Sequence, residues 1–194
     1  MKLIVTKQSF QARSELNEFY RKERDKAEKD RKEAASQGDL SENFGYVAAK
    51  EMIQNIDQRL ASLNMSEPVE IVDPQSWADQ DMSSGPRAMV GAMVTIKRDG
   101  QEESFLLGGA WDADLDLENV VPYTSPLAKV LIPKAPGHKG QLGTGPRAQK
   151  IELVAARPAT LAEIQRLYPE PKLAGAEMER KKAPAEIVAD GPTM

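Results

Sequence analysis

Two carboxylates lie three residues apart in the segment Gly38-Asp39-Leu40-Ser41-Glu42-Asn43. Residues spaced i and i+3 share one face of a helix, so Asp39 and Glu42 can together hold one cation or its bound waters. Carboxylate oxygens are the hard ligands that Mg²⁺ prefers. Because two ligands are too few for tight binding, we expect these residues to bind Mg²⁺ effectively only where another macromolecule supplies further ligands.

The same spacing is also typical of a helix N-terminus. Asp-x-x-Glu before an apolar run is close to a capping box, and the helix dipole favours acidic side chains in a first turn. Gly38 suits the left-handed residue that ends a preceding helix, and Asp39 or Ser41 suits the cap of the next one. Capping and metal chemistry are therefore two open interpretations of the same residues.

Helix-forming runs flank this segment on both sides. Residues 16 to 36 are mostly charged residues and alanine, without glycine or proline, and a helix from Phe10 to Gln37 is expected. Apolar residues in that run keep a seven-residue spacing at Tyr20, Ala27 and Ala34. Downstream, steps of three and four join Tyr46, Ala49, Ile53, Ile56, Leu60 and Leu63. Such a seam predicts an antiparallel coiled-coil hairpin over residues 1–65, with an acidic tip at 38–43.

The first arm of the hairpin also carries a row of basic residues. They are Arg21, Lys22, Arg24, Lys26, Lys29, Arg31 and Lys32. One interpretation is a solvated face supported by i,i+4 ion pairs such as Glu28–Lys32. The other is a docking surface for an acidic partner.

The rest of the chain predicts a small α+β domain. A linker at 66–89 is rich in turn-forming residues and contains a short strand, Val69 to Val72. Within residues 90–158, strands at 93–97 and 103–107 flank Asp99-Gly100, a strong hairpin signal. Further strands are expected at 119–124 and 150–155. The pattern predicts an antiparallel sheet with one short helix on it.

Two short helices have clear start signals in the C-terminal half. Ser125 is expected to cap a helix that begins at Pro126, and Thr160 to cap another that ends near Tyr168. The C-terminal extension, residues 159–194, is thus expected to form a short helix followed by a mobile tail, because its remainder is rich in Pro, Ala, Glu and Lys.

Composition excludes several functional classes. The 194 residues include no cysteine, which excludes disulfides, thiolate zinc sites and cysteine nucleophiles. The net charge of −4 argues against free-standing duplex binding. His138 is the sole histidine and lies beside a glycine-rich segment, Gly140 to Gly145, that is interpreted as a hairpin turn, so a serine triad is not expected. No signal peptide or membrane-spanning run is apparent, which predicts a soluble cytoplasmic protein.

Taken together, these motifs resemble the Gre family of bacterial transcript-cleavage factors, with GreA-like rather than GreB-like character in the basic arm. The tip segment is followed in the family's order by Tyr46 and Ala48-Ala49-Lys50-Glu51. A second block comprises Val90-Gly91-Ala92-Met93-Val94-Thr95, then Thr124-Ser125-Pro126-Leu127-Ala128-Lys129 with Leu131-Ile132. The resemblance covers roughly residues 8 to 157.

The resemblance implies a function at the active centre of another enzyme. It implies an FKBP-like globular domain that binds bacterial RNA polymerase, and a coiled coil that enters the polymerase secondary channel. The polymerase then hydrolyses the 3′ end of backtracked nascent RNA. Asp39 and Glu42 match the family's tip acids, and we expect them to help hold a second Mg²⁺ and orient the attacking water. The chain would be a monomeric cofactor of the polymerase's nuclease activity rather than an enzyme.

The tip also departs from the family pattern. Phe44-Gly45 stands where the family usually has a small residue followed by an acidic one. Glycine inside a helix costs about 1 kcal/mol relative to alanine, so the second helix is expected to bend or begin later. Phe44 is expected to contact an RNA base, a polymerase loop or the seam.

Three other functions compete with transcript cleavage. The first is a channel-binding transcription regulator that does not promote cleavage. The second is a prolyl isomerase, although Phe105, Trp111 and Tyr123 are more simply explained by core packing. The third is a hairpin adaptor in which Asp39 and Glu42 serve only as caps.

Overall fold

A long helical hairpin forms the N-terminal part of the protein. The computed structural model describes residues 2–36, 43–78 and 80–169. The chain starts with a short strand, β1 (Leu3–Thr6), which continues directly into helix α1 (Lys7–Ser36). Helix α2 covers Phe44–Leu63, as the seam pattern predicted. Helix α1 begins at Lys7, one turn earlier than the predicted start at Phe10.

The two helices pack antiparallel along the predicted seam. The buried residues are Tyr20, Ala27 and Ala34 of α1 and Ala49, Ile53, Ile56 and Leu63 of α2. Two polar contacts show the antiparallel order. Arg59 contacts Tyr20, and Asp57, earlier in α2, contacts Arg24, later in α1. The predicted α+β class, with an N-terminal hairpin before a sheet domain, is confirmed.

A two-stranded parallel sheet lies at the base of the hairpin. Strand β2 (Val69–Val72) follows α2, matches the predicted strand, and pairs with β1 so that Leu3 lies opposite Val69. Strand β1 was not predicted from the sequence. A parallel pair leaves no local hairpin signal, and here the whole helical hairpin separates the two strands.

In the described residues, five strands form the main sheet, in the order β5-β4-β3-β7-β6. Their bounds are β3 Ala92–Arg98, β4 Gln101–Gly108, β5 Val120–Pro122, β6 Lys139–Leu142 and β7 Gln149–Pro158. The turn between β3 and β4 has positive φ at Asp99 (52°) and Gly100 (88°), which is the backbone of a tight hairpin turn. This part of the prediction is confirmed.

Two details of the sheet differ from the prediction. First, β4 and β5 are parallel, because the chain from Gly109 onward passes back through a 3₁₀ turn at Asp112–Leu115 before it enters β5. Second, the glycine-rich segment is only partly a turn: residues 140–142 belong to strand β6, and the turn that leads to antiparallel β7 begins at Gly143. Strand β6 is an edge strand, and a Cβ on Gly140 would lie 2.3 Å from Val130 Cγ1, so glycine permits the close approach of Val130.

Both faces of the main sheet are covered. Helix α3 (Pro126–Leu131), capped by Ser125 as predicted, packs on the face formed by Val94, Ile96, Phe105, Leu107, Ile151 and Leu153. Helix α4 (Leu161–Leu167) packs with Trp77 on the opposite face, against Met93 and Leu106. Thr160 and Glu163 form a capping box at the start of α4, which confirms the predicted cap. Residues 170–194, for which a mobile tail was expected, lie outside the described residues.

Candidate functional site at the hairpin tip

The predicted tip acids, Asp39 and Glu42, lie outside the described residues. Their assignment to Mg²⁺ and to catalysis therefore stays a prediction. The structure does describe the two helix ends that flank them, since α1 ends at Ser36 and α2 begins at Phe44. The chemistry available to the tip depends on how these two ends are held.

Asn43 joins the two helix ends through one side-chain amide. Its Oδ1 accepts a hydrogen bond from the Tyr46 backbone N–H at 3.1 Å, so Asn43 is the N-cap of α2. Its Nδ2 donates to the carbonyl oxygen of Ala34, in the last turn of α1, at 2.7 Å. Each bond satisfies a backbone group at a helix end that lacks a full set of intrahelical partners. We call this pair of contacts the Asn43 bridge.

The Asn43 bridge corrects the predicted helix start. Asp39 or Ser41 was expected to cap α2, and that prediction is wrong because Asn43 holds the N-cap position. The capping function is thus supplied without either tip acid. An asparagine directly before an apolar periodic run is a start signal, which could have identified Asn43 from the sequence.

Gly45 lets the bridge approach closely. A Cβ at this position would lie 3.3 Å from Asn43 Oδ1 and 3.7 Å from Ala34 Cβ. Helix α2 begins at Phe44, later than a cap at Asp39 or Ser41 would give, and Gly45 lies inside it; the predicted bend stays a prediction. Gly45 lies in the first helical turn, where the backbone N–H has no intrahelical partner in any case.

Phe44 points away from the seam. Its side chain is 89% exposed, so the interpretation that Phe44 packs in the seam is wrong. Val47, one turn further along α2, is 44% exposed. An aromatic ring in water at the first residue of α2 is available for contact with a partner molecule.

Ion pairs occupy part of the predicted basic row. Arg24 bonds to Asp57 across the hairpin at 2.7 Å, and this hydrogen bond and charge raise the Arg24 pKa above its ordinary value. Glu28 pairs with Arg31 at 2.9 Å and with Arg24 at 4.0 Å. The predicted Glu28–Lys32 pair does not form, because Glu28 takes these two arginines instead. Such exposed pairs add little to stability, and among these only Arg24–Asp57 joins the two helices.

Arg13 holds the base of the hairpin against the sheet domain. Its Nε donates to Asp114 at 2.5 Å, and Nη1 donates to the carbonyl of Leu63 at the end of α2, at 2.7 Å. The guanidinium lies 4.2 Å from the centroid of the Trp111 ring, which also stacks on Phe10. One side chain therefore connects α1, α2 and the segment after β4.

The aromatic residues considered for a prolyl isomerase have separate structural roles. Phe105 lies in the core beneath α3, while Trp111 packs against the base of the hairpin. The Tyr123 hydroxyl accepts a hydrogen bond from the Ile4 backbone N–H at 3.1 Å. The core-packing interpretation accounts for Phe105. His138 lies half-buried in the turn before β6.

The described residues hold no second candidate metal site. Within them, no group of three or more acidic or histidine side chains is close enough to hold a metal ion. The magnesium prediction thus depends on Asp39 and Glu42. None of the helices in the described ranges combines the length and the apolar character needed to cross a bilayer.

Both the hairpin region and the sheet domain of the chain match known protein families. Residues 3–66 match the family described as "Transcription elongation factor, N-terminal", and residues 83–157 match "Transcription elongation factor, GreA/GreB, C-term". The GreA of Syntrophobacter fumaroxidans is 34% identical over 158 residues, covering 79% of this chain and 96% of that protein. The GreA of Rickettsia canadensis is 34% identical over 143 residues, or 72% of this chain and 84% of that protein.

A solved structure also aligns with most of the chain. Thermus thermophilus GreA factor homolog 1 (Gfh1) covers 81% of this chain and 99% of its own at 20% identity, with a TM-score of 0.33, which is too low to support a structural argument. The family matches and the GreA relatives are sufficient by themselves to assign the family. The chain belongs to the GreA/GreB family of transcription elongation factors and is GreA-like.

Proposed function

We propose that this protein binds RNA polymerase, inserts its hairpin into the secondary channel and stimulates the polymerase to hydrolyse the 3′ end of backtracked RNA. Membership of an elongation-factor family implies the interaction with RNA polymerase. In this proposal the protein acts as a monomer in the cytoplasm, and the reaction occurs in the polymerase active centre. The protein is then a cofactor of the polymerase's nuclease activity.

The Asn43 bridge is the observation that best supports this function. It joins Ala34 to Asn43 and so closes the base of the segment that contains both tip acids. Because the bridge caps α2 by itself, the Asp39 and Glu42 carboxylates are not required as caps. This weighs against the adaptor hypothesis, in which the acids have only a capping role.

The two tip carboxylates are suitable ligands for magnesium but are too few to form a complete site. Asp39 and Glu42 would supply two carboxylate oxygens, and the polymerase and the RNA phosphate would supply the remaining ligands. When bound, Mg²⁺ activates water and offsets the charge that develops during phosphodiester hydrolysis. The role of the two side chains is to hold the ion and orient the attacking water.

The test is RNA cleavage by backtracked polymerase complexes with Asp39→Asn and Glu42→Gln. Metal catalysis contributes several kcal/mol, so each variant should lower the cleavage rate on the order of 100-fold. Matched controls are Asp30→Asn and Glu51→Gln, which remove exposed carboxylates elsewhere on the hairpin. Undiminished cleavage by the tip variants, with polymerase binding intact, would remove Asp39 and Glu42 from the mechanism.

Phe44 favours a second candidate function. A bulky exposed ring at the start of α2 is compatible with a regulator that occupies the channel without promoting cleavage. Adding the wild-type protein to backtracked complexes separates the two functions. Short 3′ RNA fragments indicate a cleavage factor, whereas slower elongation without such fragments indicates a regulator.

A further inference from the structure

A buried carboxylate connects three separate parts of the chain. Asp112 is 2% exposed, and its Oδ1 accepts a hydrogen bond from the Thr6 hydroxyl at 2.5 Å. Its Oδ2 accepts from the Gly109 backbone N–H at 2.6 Å and from the Tyr168 hydroxyl. In the described part of the chain, Asp112 forms no ion pair, so hydrogen bonds alone compensate its burial. We call this set of contacts the Asp112 junction.

The three donors belong to different elements. Thr6 ends β1 and directly precedes α1, so its side chain lies where the hairpin begins. Gly109 follows β4 of the main sheet. Tyr168 follows α4. The Asp112 junction is thus the point at which the hairpin, the sheet and the C-terminal helix meet.

The junction leaves little room for another arrangement. A Cβ on Gly108 would lie 2.5 Å from Asp112 Oδ2 and 2.7 Å from the Tyr168 hydroxyl oxygen. A Cβ on Gly109 would lie 2.9 Å from the Thr6 backbone nitrogen. Both distances to Gly108 are shorter than real Cβ contacts, so glycine is needed there for the elements to approach.

Ser9, in the first turn of α1, also holds Thr6 in place. The Ser9 backbone N–H donates to Thr6 Oγ1 at 3.2 Å, and Ser9 Oγ donates to the Thr6 carbonyl at 3.1 Å. Thr6 and Ser9 are both fully buried. Because the Thr6 oxygen accepts from the first turn of α1 and donates to Asp112, the start of the helix is tied directly to the carboxylate.

Helix α4 is well anchored and lies beyond the family match. Ile164 and Leu167 are buried on the sheet, and the Tyr168 ring lies 6.0 Å from the Trp77 ring, edge to face. The family match ends at residue 157, so α4 is outside the region in which this chain matches the family. Burial and the adjacent charge of Asp112 raise the pKa of Tyr168 above its ordinary value, so the hydroxyl stays protonated and remains a donor.

We propose that Tyr168 is a positioning residue: through Asp112 and Thr6, helix α4 fixes the direction in which the hairpin projects from the sheet domain. The 30 residues of α1 span about 45 Å. On a lever of that length, a rotation of about 10° at Thr6 moves the far end by roughly 8 Å. A displacement of this size at the tip would separate catalytic groups from their target.

The experiment measures the hairpin direction in the full-length protein. The chain has no cysteine, so Lys29→Cys and Gln101→Cys, both exposed, provide two unique sites for spin labels. Double electron–electron resonance then gives the distribution of distances between the hairpin and the sheet. Tyr168→Phe, which removes one hydroxyl and keeps the ring, should broaden this distribution at least about twofold well below the unfolding temperature.

Two further variants complete the test. Tyr46→Phe removes a hydroxyl from the hairpin away from the junction and should leave the distribution unchanged. Thr6→Val removes the hydroxyl on the other side of Asp112 and should broaden it as Tyr168→Phe does. An unchanged width in Tyr168→Phe would overturn the proposal, even if the melting temperature falls, because a purely stabilising contact lowers the melting temperature without changing direction. An unchanged width in Thr6→Val alone would overturn the path through Thr6.

A cleavage assay relates direction to activity, and this part rests on the proposed function. If fewer molecules have the competent direction, Tyr168→Phe should raise the factor concentration for half-maximal cleavage about threefold or more, with the maximal rate unchanged. A broadened distribution with no such shift would support Tyr168 as the residue that fixes the direction, and would overturn the link between hairpin direction and cleavage. Absence of cleavage with the wild type would refute the proposed function, and the spin-label result would still decide the hairpin direction.

Discussion

The Asn43 amide donates to the Ala34 carbonyl at 2.7 Å and thereby connects the end of α1 to the start of α2. The same side chain caps α2 through Tyr46. A single residue thus closes the hairpin next to the segment that contains the predicted tip acids. Its two bonds can be tested separately, because one uses the oxygen and the other uses the nitrogen of the amide.

Asn43→Ala should destabilise the hairpin by about 1–3 kcal/mol. Loss of an N-cap costs about 1 kcal/mol, and loss of the interhelical hydrogen bond adds a similar amount. Asn43→Asp is the matched variant, since it keeps the capping oxygen and loses the nitrogen donor; its effect should be smaller. Urea unfolding followed by circular dichroism measures both. Equal stability of Asn43→Ala and the wild type would show that the bridge is not formed in solution.

Because the seam is narrow, truncating a side chain should cost far more unfolding free energy on the buried face of α2 than on the neighbouring exposed face. Ile56 is buried against α1, whereas Met52 is 43% exposed on the outer side. Ile56→Ala should cost about 2–5 kcal/mol through lost burial and the resulting cavity. Met52→Ala should cost less than about 1 kcal/mol. Chemical denaturation of the two variants measures the difference, and similar losses would contradict the described packing.

The hairpin could be predicted from the sequence because its signals are local. The spacing of apolar residues identified α2 from Tyr46 to its last residue, Leu63, and Ser125 and Thr160 marked the starts of two short helices. The Asp99-Gly100 turn identified the β3–β4 pair in the same way. Each of these signals lies within a few residues of the structure that it specifies.

The missed features depend on contacts between distant residues. Strand β1 has only four residues, and its partner β2 lies beyond the whole hairpin. Asp112 is in an acid-rich stretch that looks exposed in the sequence, and its partners Thr6 and Tyr168 are 106 and 56 residues away. The preceding Gly108-Gly109 pair was a possible signal, since adjacent glycines often mark close approach of other elements.

Docking of α4 should weaken in acid. The Arg157 guanidinium, with further hydrogen bonds from Thr160, lowers the pKa of Glu163 from 4.5 to about 2. Because the folded-state pKa is depressed, the contribution to stability is present above pH 4.5 and is lost as the pH falls from 4.5 toward 2. The protection factors of the α4 amides, which compare the exchange rate with the intrinsic rate at the same pH, should fall across this range.

Arg157→Gln provides the control for the acid effect. Without the guanidinium, the Glu163 pKa should return toward its ordinary value, and ¹³C NMR titration of the Glu163 carboxyl measures that shift. The acid-dependent loss of protection in α4 should then become smaller, because the folded-state pKa of Glu163 lies closer to its unfolded value. A wild-type Glu163 that titrates near pH 4.5 would show that the 2.5 Å contact to Arg157 is not maintained in solution.

The exposed ring of Phe44 predicts a variant that leaves folding intact. Since 89% of the side chain is accessible, Phe44→Ala should change the free energy of unfolding by no more than about 0.5 kcal/mol. Phe105→Ala, in the buried core, is the contrast and should cost about 3–5 kcal/mol. Thermal and urea unfolding of both variants gives the comparison. A loss above about 1 kcal/mol for Phe44→Ala would mean that the ring packs against the hairpin.

With stability unchanged, any effect of Phe44→Ala on RNA cleavage can be attributed to contact between this ring and the polymerase or its RNA.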